Sequence, residues 1–341
     1  VNGGYYGVRF NGLSATYNMN NSVMNSTFNE VSFYGVYNIY QEAPMASGNT
    51  VNFRSSATGG YGVYINNSIH GNVQSNFING AKTYGIYFFT HNQASKNPTV
   101  RGLVANNMIT ALNFGDGIYF SNADQMDVFH NTVTAENDQA LWINSTSEDY
   151  DIRNNVFSAS GTSQVIDLDA NPAITDVINN NVYFHSGGGD IAITPGGTYA
   201  TLVAWQTGDI NQNSNSLEGD PVFAGPTDLH LLGPLADDAG DNTVGILTDI
   251  DGDTRPAAGS TIVDIGADEF TAVGGDIALM SGMVSQSGCY SNSDTAMFTI
   301  QNTIGGTIDF SVDTLDLNWD VAGPFNINSS GSVTVNSGTL A

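Results

Sequence analysis

Apolar residues along this chain fall in short alternating runs divided by Asn, Ser and Gly turns, and the runs repeat. Tyr6-Gly-Val-Arg-Phe10, Tyr34-Gly-Val-Tyr37, Tyr61-Gly-Val-Tyr-Ile65, Tyr84-Gly-Ile-Tyr-Phe88 and Asp116-Gly-Ile-Tyr-Phe120 are copies of one strand. Gln139–Ile143 and Gln164–Leu168 continue the series in weaker form. Their second residues stand at 7, 35, 62, 85, 117, 140 and 165, giving steps of 28, 27, 23, 32, 23 and 25. A second series runs in phase: Val104–Ile109, Val128–Val133, Ile152–Phe157 and Val177–Val182 each carry Asn at the fourth place. These are Asn107, Asn131, Asn155 and Asn180, with Asn76 one period earlier. Two short strands per period cannot bury a face alone, so coil must stack on coil in a parallel β-helix, a solenoid. No window sustains a 3.6-residue apolar period, which excludes a helical framework.

Alternation then assigns the faces. Val8, Val36, Val63, Ile86, Ile118, Leu141 and Ile166 point inward, as do Phe10, Ile65, Phe88, Phe120, Ile143 and Leu168. Between them lies one outward position per coil: Arg9, Tyr37, Tyr64, Tyr87, Tyr119, Trp142, Asp167. Five aromatic rings in a row, flat sides accessible, would suit a sugar face or another protein chain. The competing expectation is that the insertions Gln41–Asn49 and Thr90–Thr99, or the C-terminal region, fold over that row. The Asn column is a structural device, because stacked amides satisfy polar groups at a tight turn.

Charge narrows the partners. Seven Lys and Arg stand against 33 Asp and Glu, a formal net charge of −26. Such a surface repels nucleic acid, anionic lipid and polyanionic polysaccharide. The single cysteine, Cys289, has no partner for an internal disulfide. No run of about 18 apolar residues offers a membrane span. Both ends read as cut from a larger protein.

After Asn181 the repeat dissolves. Trp205-Gln-Thr-Gly-Asp209, Asp220-Pro-Val-Phe223, Asp228-Leu-His-Leu231, Asp249-Ile-Asp-Gly-Asp-Thr-Arg-Pro256 and Asp264-Ile-Gly-Ala-Asp-Glu269 follow in that order. Together, over Tyr183 to Phe270, they resemble the closing signature of secreted right-handed β-helix proteins, many from Bacteroidota. The element usually read SPAIDAG is degenerate here, as Gly233-Pro-Leu-Ala-Asp-Asp-Ala-Gly240. The resemblance implies fold and export, and it leaves function open, because that family includes adhesins, binding proteins and enzymes. From Gly274 on, alternating runs such as Thr295–Asn302, Thr307–Val312 and Ser332–Val335 change the spacing. They resemble the opening of immunoglobulin-like modules in giant surface proteins exported by the type IX route. The expected organisation is β-helix coils over 1–190, a closing cap over 191–270, and an incomplete immunoglobulin-like sandwich over 271–341.

Three groups of residues could carry chemistry. Asp127, Asp151 and Asp176 precede Val128, Ile152 and Val177 and should stack outward about 4.8 Å apart. A calcium-assisted lyase or a glycosidase would use such carboxylates; the plainer reading is a solvated acidic turn. Asp249, Asp251 and Asp253 alternate around Gly252 like the start of a calcium loop, with Ser260 where a full loop has Glu. The plainer reading there is an Asp/Gly turn. His70, His91, His130, His185 and His230 share no metal spacing, and none is assigned as a ligand. The function expected is a structural and adhesive segment of an exported surface protein, binding glycans, surface proteins or sister chains. The alternative is a polysaccharide-active enzyme.

Overall fold

The computed structural model describes residues 1–93, 100–144, 146–169, 177–209 and 212–270, together with the strand backbones 277–279, 297–302, 308–310, 325–327 and 332–336. Two compact units divide at Thr271 and Ala272.

Val1–Thr271 is a parallel β-solenoid of three sheets, one more than the two strands per period expected from the sequence. The first sheet stacks Tyr6–Asn11, Tyr34–Ile39, Tyr61–Asn66, Tyr84–His91, Asp116–Ala123, Leu141–Ile143, Ile166–Leu168 and Ala192–Thr194. Gly197–Tyr199 ends it with an antiparallel pairing. The second sheet runs from Ser22–Met24 to Val177–Asn179, and the third from Thr27–Val31 to Leu217–Glu218. Each run of the second sequence series is two strands joined by a corner, such as Gly102–Ala105 and Met108–Ala111 around Asn107. A two-residue corner is too short to show as a break in the alternation.

That corner has a fixed recipe. A residue in the left-handed region comes first: Gly48, Ser75, Asn106, His130, Asn154 and Asn180 have φ between 50° and 67°. The next residue is the ladder amide: Asn49, Asn76, Asn107, Asn131, Asn155 and Asn181. Asn131 Oδ1 accepts from the backbone N–H and from Nδ2 of Asn107, at 3.1 and 2.9 Å. Its own Nδ2 donates to Val104 O, Phe129 O and Asn155 Oδ1. The last ladder amide is therefore Asn181, whose Oδ1 serves Asn155, while Asn180 supplies the left-handed turn. Even spacing points to Asn180, a step of 25, where the coil takes 26. The same slip moves the inward aliphatic from Val177 to Ile178, and Val177 is exposed.

Inside, Val36, Val63, Ile86, Ile118 and Leu141 form one fully buried column, with Ile65, Phe88 and Phe120 in the next. Each such side chain contributes about 1.5–3 kcal/mol by leaving water. Gly35, Gly62, Gly85 and Gly117 form a column where the first and third sheets meet. A Cβ on Gly85 would stand 2.3 Å from Ile109 Cγ2 and 2.5 Å from the Gly117 carbonyl. Asn38 breaks the pattern. It lies in register between Phe10 and Ile65, is buried, and neither amide atom has a partner among the described residues.

The C-terminal end of the core is plugged by a short helix, Leu202–Gly208, capped by Thr201 Oγ1. Its Leu202 and Trp205 are buried in the main core, Trp205 beside Tyr183. Residues 219–270 do something else: they run back along the solenoid as a strap. Leu229, Leu231, Ala236, Ile265 and Ala267 cover the outward residues Met108, Val156 and Val182 of the third sheet. Gly266 N–H donates to Asn154 O, and Ala267 N–H to Thr132 Oγ1. The closing signature thus works in two places: Trp205 at the end of the core, and the segments from Asp220 on along its side.

In Ala272–Ala341 the described strands are antiparallel. Met297–Asn302 pairs with Ile277–Leu279 and Ser332–Asn336, and Ile308–Phe310 pairs with Phe325–Ile327. Cys289 lies outside the described residues.

Two measurements probe this core. Asn131→Ala strands several buried polar groups at once, and denaturant unfolding should show a loss on the order of 3 kcal/mol or more. Asn38→Leu removes an unpartnered amide from an aliphatic column, and the same assay should show a gain of about 1–3 kcal/mol.

Candidate functional site

The first sheet places the outward aromatics as the alternation requires. Tyr37, Tyr64, Tyr87, Tyr119 and Trp142 are in register on successive coils, with Arg9 before them and Asp167 after. A second column stands beside them: Tyr6, Tyr34, Tyr61 and Tyr84, followed by Asp116. Sequence reading did not single out this column, although the tyrosine heading each repeat was its signal.

The rings pack on one another. Tyr64 and Tyr87 stack with centroids 4.8 Å apart, Tyr87 and Tyr119 at 4.9 Å, and Tyr119 and Trp142 at 4.4 Å. Tyr37 meets Tyr64 edge to face, and across the columns Tyr84 stacks on Tyr119 at 4.8 Å. Tyr119 is buried and the other four are half-buried. Their flat sides are turned to neighbouring rings, not to solvent as the sequence reading had them, because a coil rise of about 4.8 Å is close to ring-stacking distance. What remains on the outer side is a rim of edges and hydroxyls, the Tyr64 hydroxyl accepting from Asn66 Nδ2 at 2.8 Å. Burial pushes the phenols of Tyr34, Tyr64, Tyr84 and Tyr87 well above their ordinary range, so the rim is neutral. Of the two insertions expected to cover it, Gln41–Asn49 instead forms Gln41–Glu42, paired with Asn18–Met19, and the second-sheet strand Met45–Ser47. Residues 94–99 lie outside the described residues.

Where the columns end, carboxylates replace the rings. Asp116, buried, shares a hydrogen bond with Asp138, and Gln139 N–H donates to both. Burial and then the charge of Asp138 push the Asp116 carboxyl well above the carboxylate range. Burial and then Asp169 raise Asp167 to about 6, against the hydrogen bond from Gln164 Nε2. The sequence reading missed this group, because Asp116 and Asp138 are brought together only when one coil stacks on the next.

The other candidates part company. Asp127 and Asp151 stack in register, but arginines relieve them. Arg101 bridges Asp127 and Asp149, and Arg153 bridges Asp151 and Asp241 of the strap. The column continues to Val177, not to Asp176, which lies outside the described residues. Asp249, Asp251 and Asp253 do not converge either. Asp249 is buried, its Oδ1 accepting from the N–H groups of Asp251 and Asp253 and its Oδ2 from Glu269 N–H. Asp251 turns the other way, to His230 Nε2 at 2.8 Å. The group gathered closely enough to hold an ion, among the described residues, is His230, Asp251 and Asp268. Sequence spacing gives His230 no such role, since its ligand neighbours are 21 and 38 residues away.

Asp116 and Asp167 bind protons in the folded chain that they release when unfolded near pH 4. Their raised values therefore make stability fall as pH rises from the ordinary carboxylate range through about 6 and beyond. Melting temperatures should drop between pH 4.5 and pH 8, and Asp116→Asn should flatten that slope.

Neither the curated proteins nor the solved structures give a match to this chain. Residues 5–157 match the family model described as right handed beta helix region. That match and the stacked coils together support a right-handed β-helix family, and the fold is a right-handed parallel β-helix followed by antiparallel strands.

Proposed function

We propose that this chain is a structural and adhesive segment of an exported bacterial surface protein, and that the aromatic rim of the first sheet is its contact surface. The observation carrying the reading is the double column of rings. Outward strand positions need no aromatics for folding, yet Tyr37, Tyr64, Tyr87, Tyr119 and Trp142 occupy them on five successive coils. Stacked on one another they are rigid, so a partner that binds them orders few side chains. Neutral phenols rimmed by a strongly acidic surface suit a neutral glycan or the edge of another extracellular chain, and they disfavour anionic polymers. Export and the surface setting rest on the closing-signature resemblance and on the acidic, Lys-poor composition. The type IX route, and an immunoglobulin-like nature for residues 271–341, rest on resemblance alone.

A second reading is favoured by one observation. Asp116, Asp138 and Asp167 stand at the end of the ring columns with protonation shifted toward neutral pH, as a glycosidase acid requires.

One panel separates the two readings. The chain is presented to an array of neutral and acidic glycans, and to intact bacterial and host cells, while reducing ends and unsaturated products are followed. Binding without turnover is expected. The Tyr37→Phe, Tyr64→Phe, Tyr87→Phe variant, which keeps the stack but loses the rim hydroxyls, should bind at least about tenfold more weakly with an unchanged melting curve. Binding that this variant leaves intact removes the rim from the argument. Turnover abolished by Asp116→Asn establishes the enzyme reading in its place.

A further inference from the structure

The strap is the part of the solenoid unit with least regular structure. Over residues 219–270 the described β pairing is limited to the isolated bridges Phe223↔Leu231 and Thr248↔Thr254, beside a short 3₁₀ turn at Asn242–Val244 and scattered backbone hydrogen bonds such as Gly240 N–H to Val263 O and Ile250 N–H to Ala267 O. Three of its segments nevertheless meet at one point. His230 comes from the arm of the first bridge, Asp251 from the tip of the second, and Asp268 from the run along the third sheet. We propose that His230, Asp251 and Asp268 bind a divalent transition ion of the zinc type, which clips these segments together.

Several features of the arrangement point to an ion. The ligand atoms of the three side chains all lie within 4.8 Å of one another. His230 is aimed from behind: its Nδ1 is hydrogen-bonded to the Asp228 carboxylate, leaving Nε2 toward Asp251. A carboxylate on the far nitrogen is the usual way a metal-binding imidazole is oriented and made more basic. Asp251 is presented by a turn that Asp249 holds rigid through two backbone N–H groups. Asp268 is buried and fixed by Leu231 N–H at 3.0 Å. No ion pair with Lys or Arg reaches Asp228, Asp251 or Asp268 among the described residues, so three carboxylates surround one imidazole. One nitrogen and carboxylate oxygens, with the solvent side left for water, is a donor set for zinc-type ions. Calcium takes six to eight oxygens and has no use for the imidazole.

The test uses the whole chain, stripped with chelator and titrated calorimetrically with Zn²⁺ and, separately, Ca²⁺. Co²⁺ serves as a visible-light probe of the ligand set. One saturable Zn²⁺ per chain is expected, with a higher melting temperature in its presence. Asp251→Asn and His230→Asn should weaken binding at least about tenfold, and Asp228→Asn by roughly 10–100-fold. Asp253→Asn, on the same turn, should change nothing. The Co²⁺ band should be lost with His230→Asn. If His230→Asn does not fold, Asp251→Asn decides alone, since its side chain is exposed. Absence of saturable Zn²⁺ binding, binding indifferent to Asp251→Asn, or an equal response to Ca²⁺ would each overturn the proposal.

Discussion

Register between coils is the constraint on which the rest of this molecule depends. In a parallel stack every strand repeats the position of the one before, so a residue type chosen at one position recurs as a column. The Asn ladder enforces that repetition. Each inner corner amide (Asn76, Asn107, Asn131 and Asn155) takes two hydrogen bonds from the coil before it and gives one to the coil after it, besides tying down two carbonyls, as Asn131 does. A coil shifted by one residue would break all of these in a buried corner and turn its aliphatic column to solvent. The left-handed residue before each amide makes the corner tight enough for the ladder to form.

Two different closures follow. The end of the core is sealed by an apolar plug, Leu202 and Trp205, carried on a helix of about two turns. The side is sealed by the strap, which covers an apolar outer face on the third sheet and is held by polar contacts. Its centre is a buried pair, Arg255 with Glu269 at 2.8 Å, where Arg255 also donates to Gly266 O and Glu269 accepts from Ala257 and Asp264 N–H. Burial alone would make such a pair weak support. Here Arg255 Nη2 and both Glu269 carboxylate oxygens also bond the backbone, while Arg255 Nε has no partner among the described residues, so the pair fixes the path of a segment that forms no sheet of its own there.

The aromatic columns show how one repeat sets both stability and surface chemistry. Coil rise and ring thickness nearly coincide, so a tyrosine per coil stacks without adjustment, and the stack sacrifices the ring faces to gain rigidity. The same geometry that hardens the first sheet leaves ring edges and hydroxyls, rather than ring faces, along its outer side. Where Asp116 and Asp167 continue the columns, stacking brings carboxylates against rings and against Asp138, and protonation shifts upward.

The sequence by itself determined much of what repeats. Period, inward columns, the outward row from Arg9 to Asp167 and the existence of an amide ladder all follow from alternation and spacing, because in a stack the neighbour of a residue is its own copy one coil away. Reading the left-handed residue and the amide as a doublet would also have found Asn181 and Ile178. The tertiary structure alone separated the third sheet from the second at the two-residue corners, and it alone decided what does not repeat: the sideways path of the strap, the pairing of Asp151 with Arg153, and the parting of Asp249 from Asp251. Side chains such as His230, Asp251 and Asp268 meet across 38 residues without any periodicity between them. Their juxtaposition is set by which apolar face of the solenoid the strap must cover, and that face exists only once the coils have stacked.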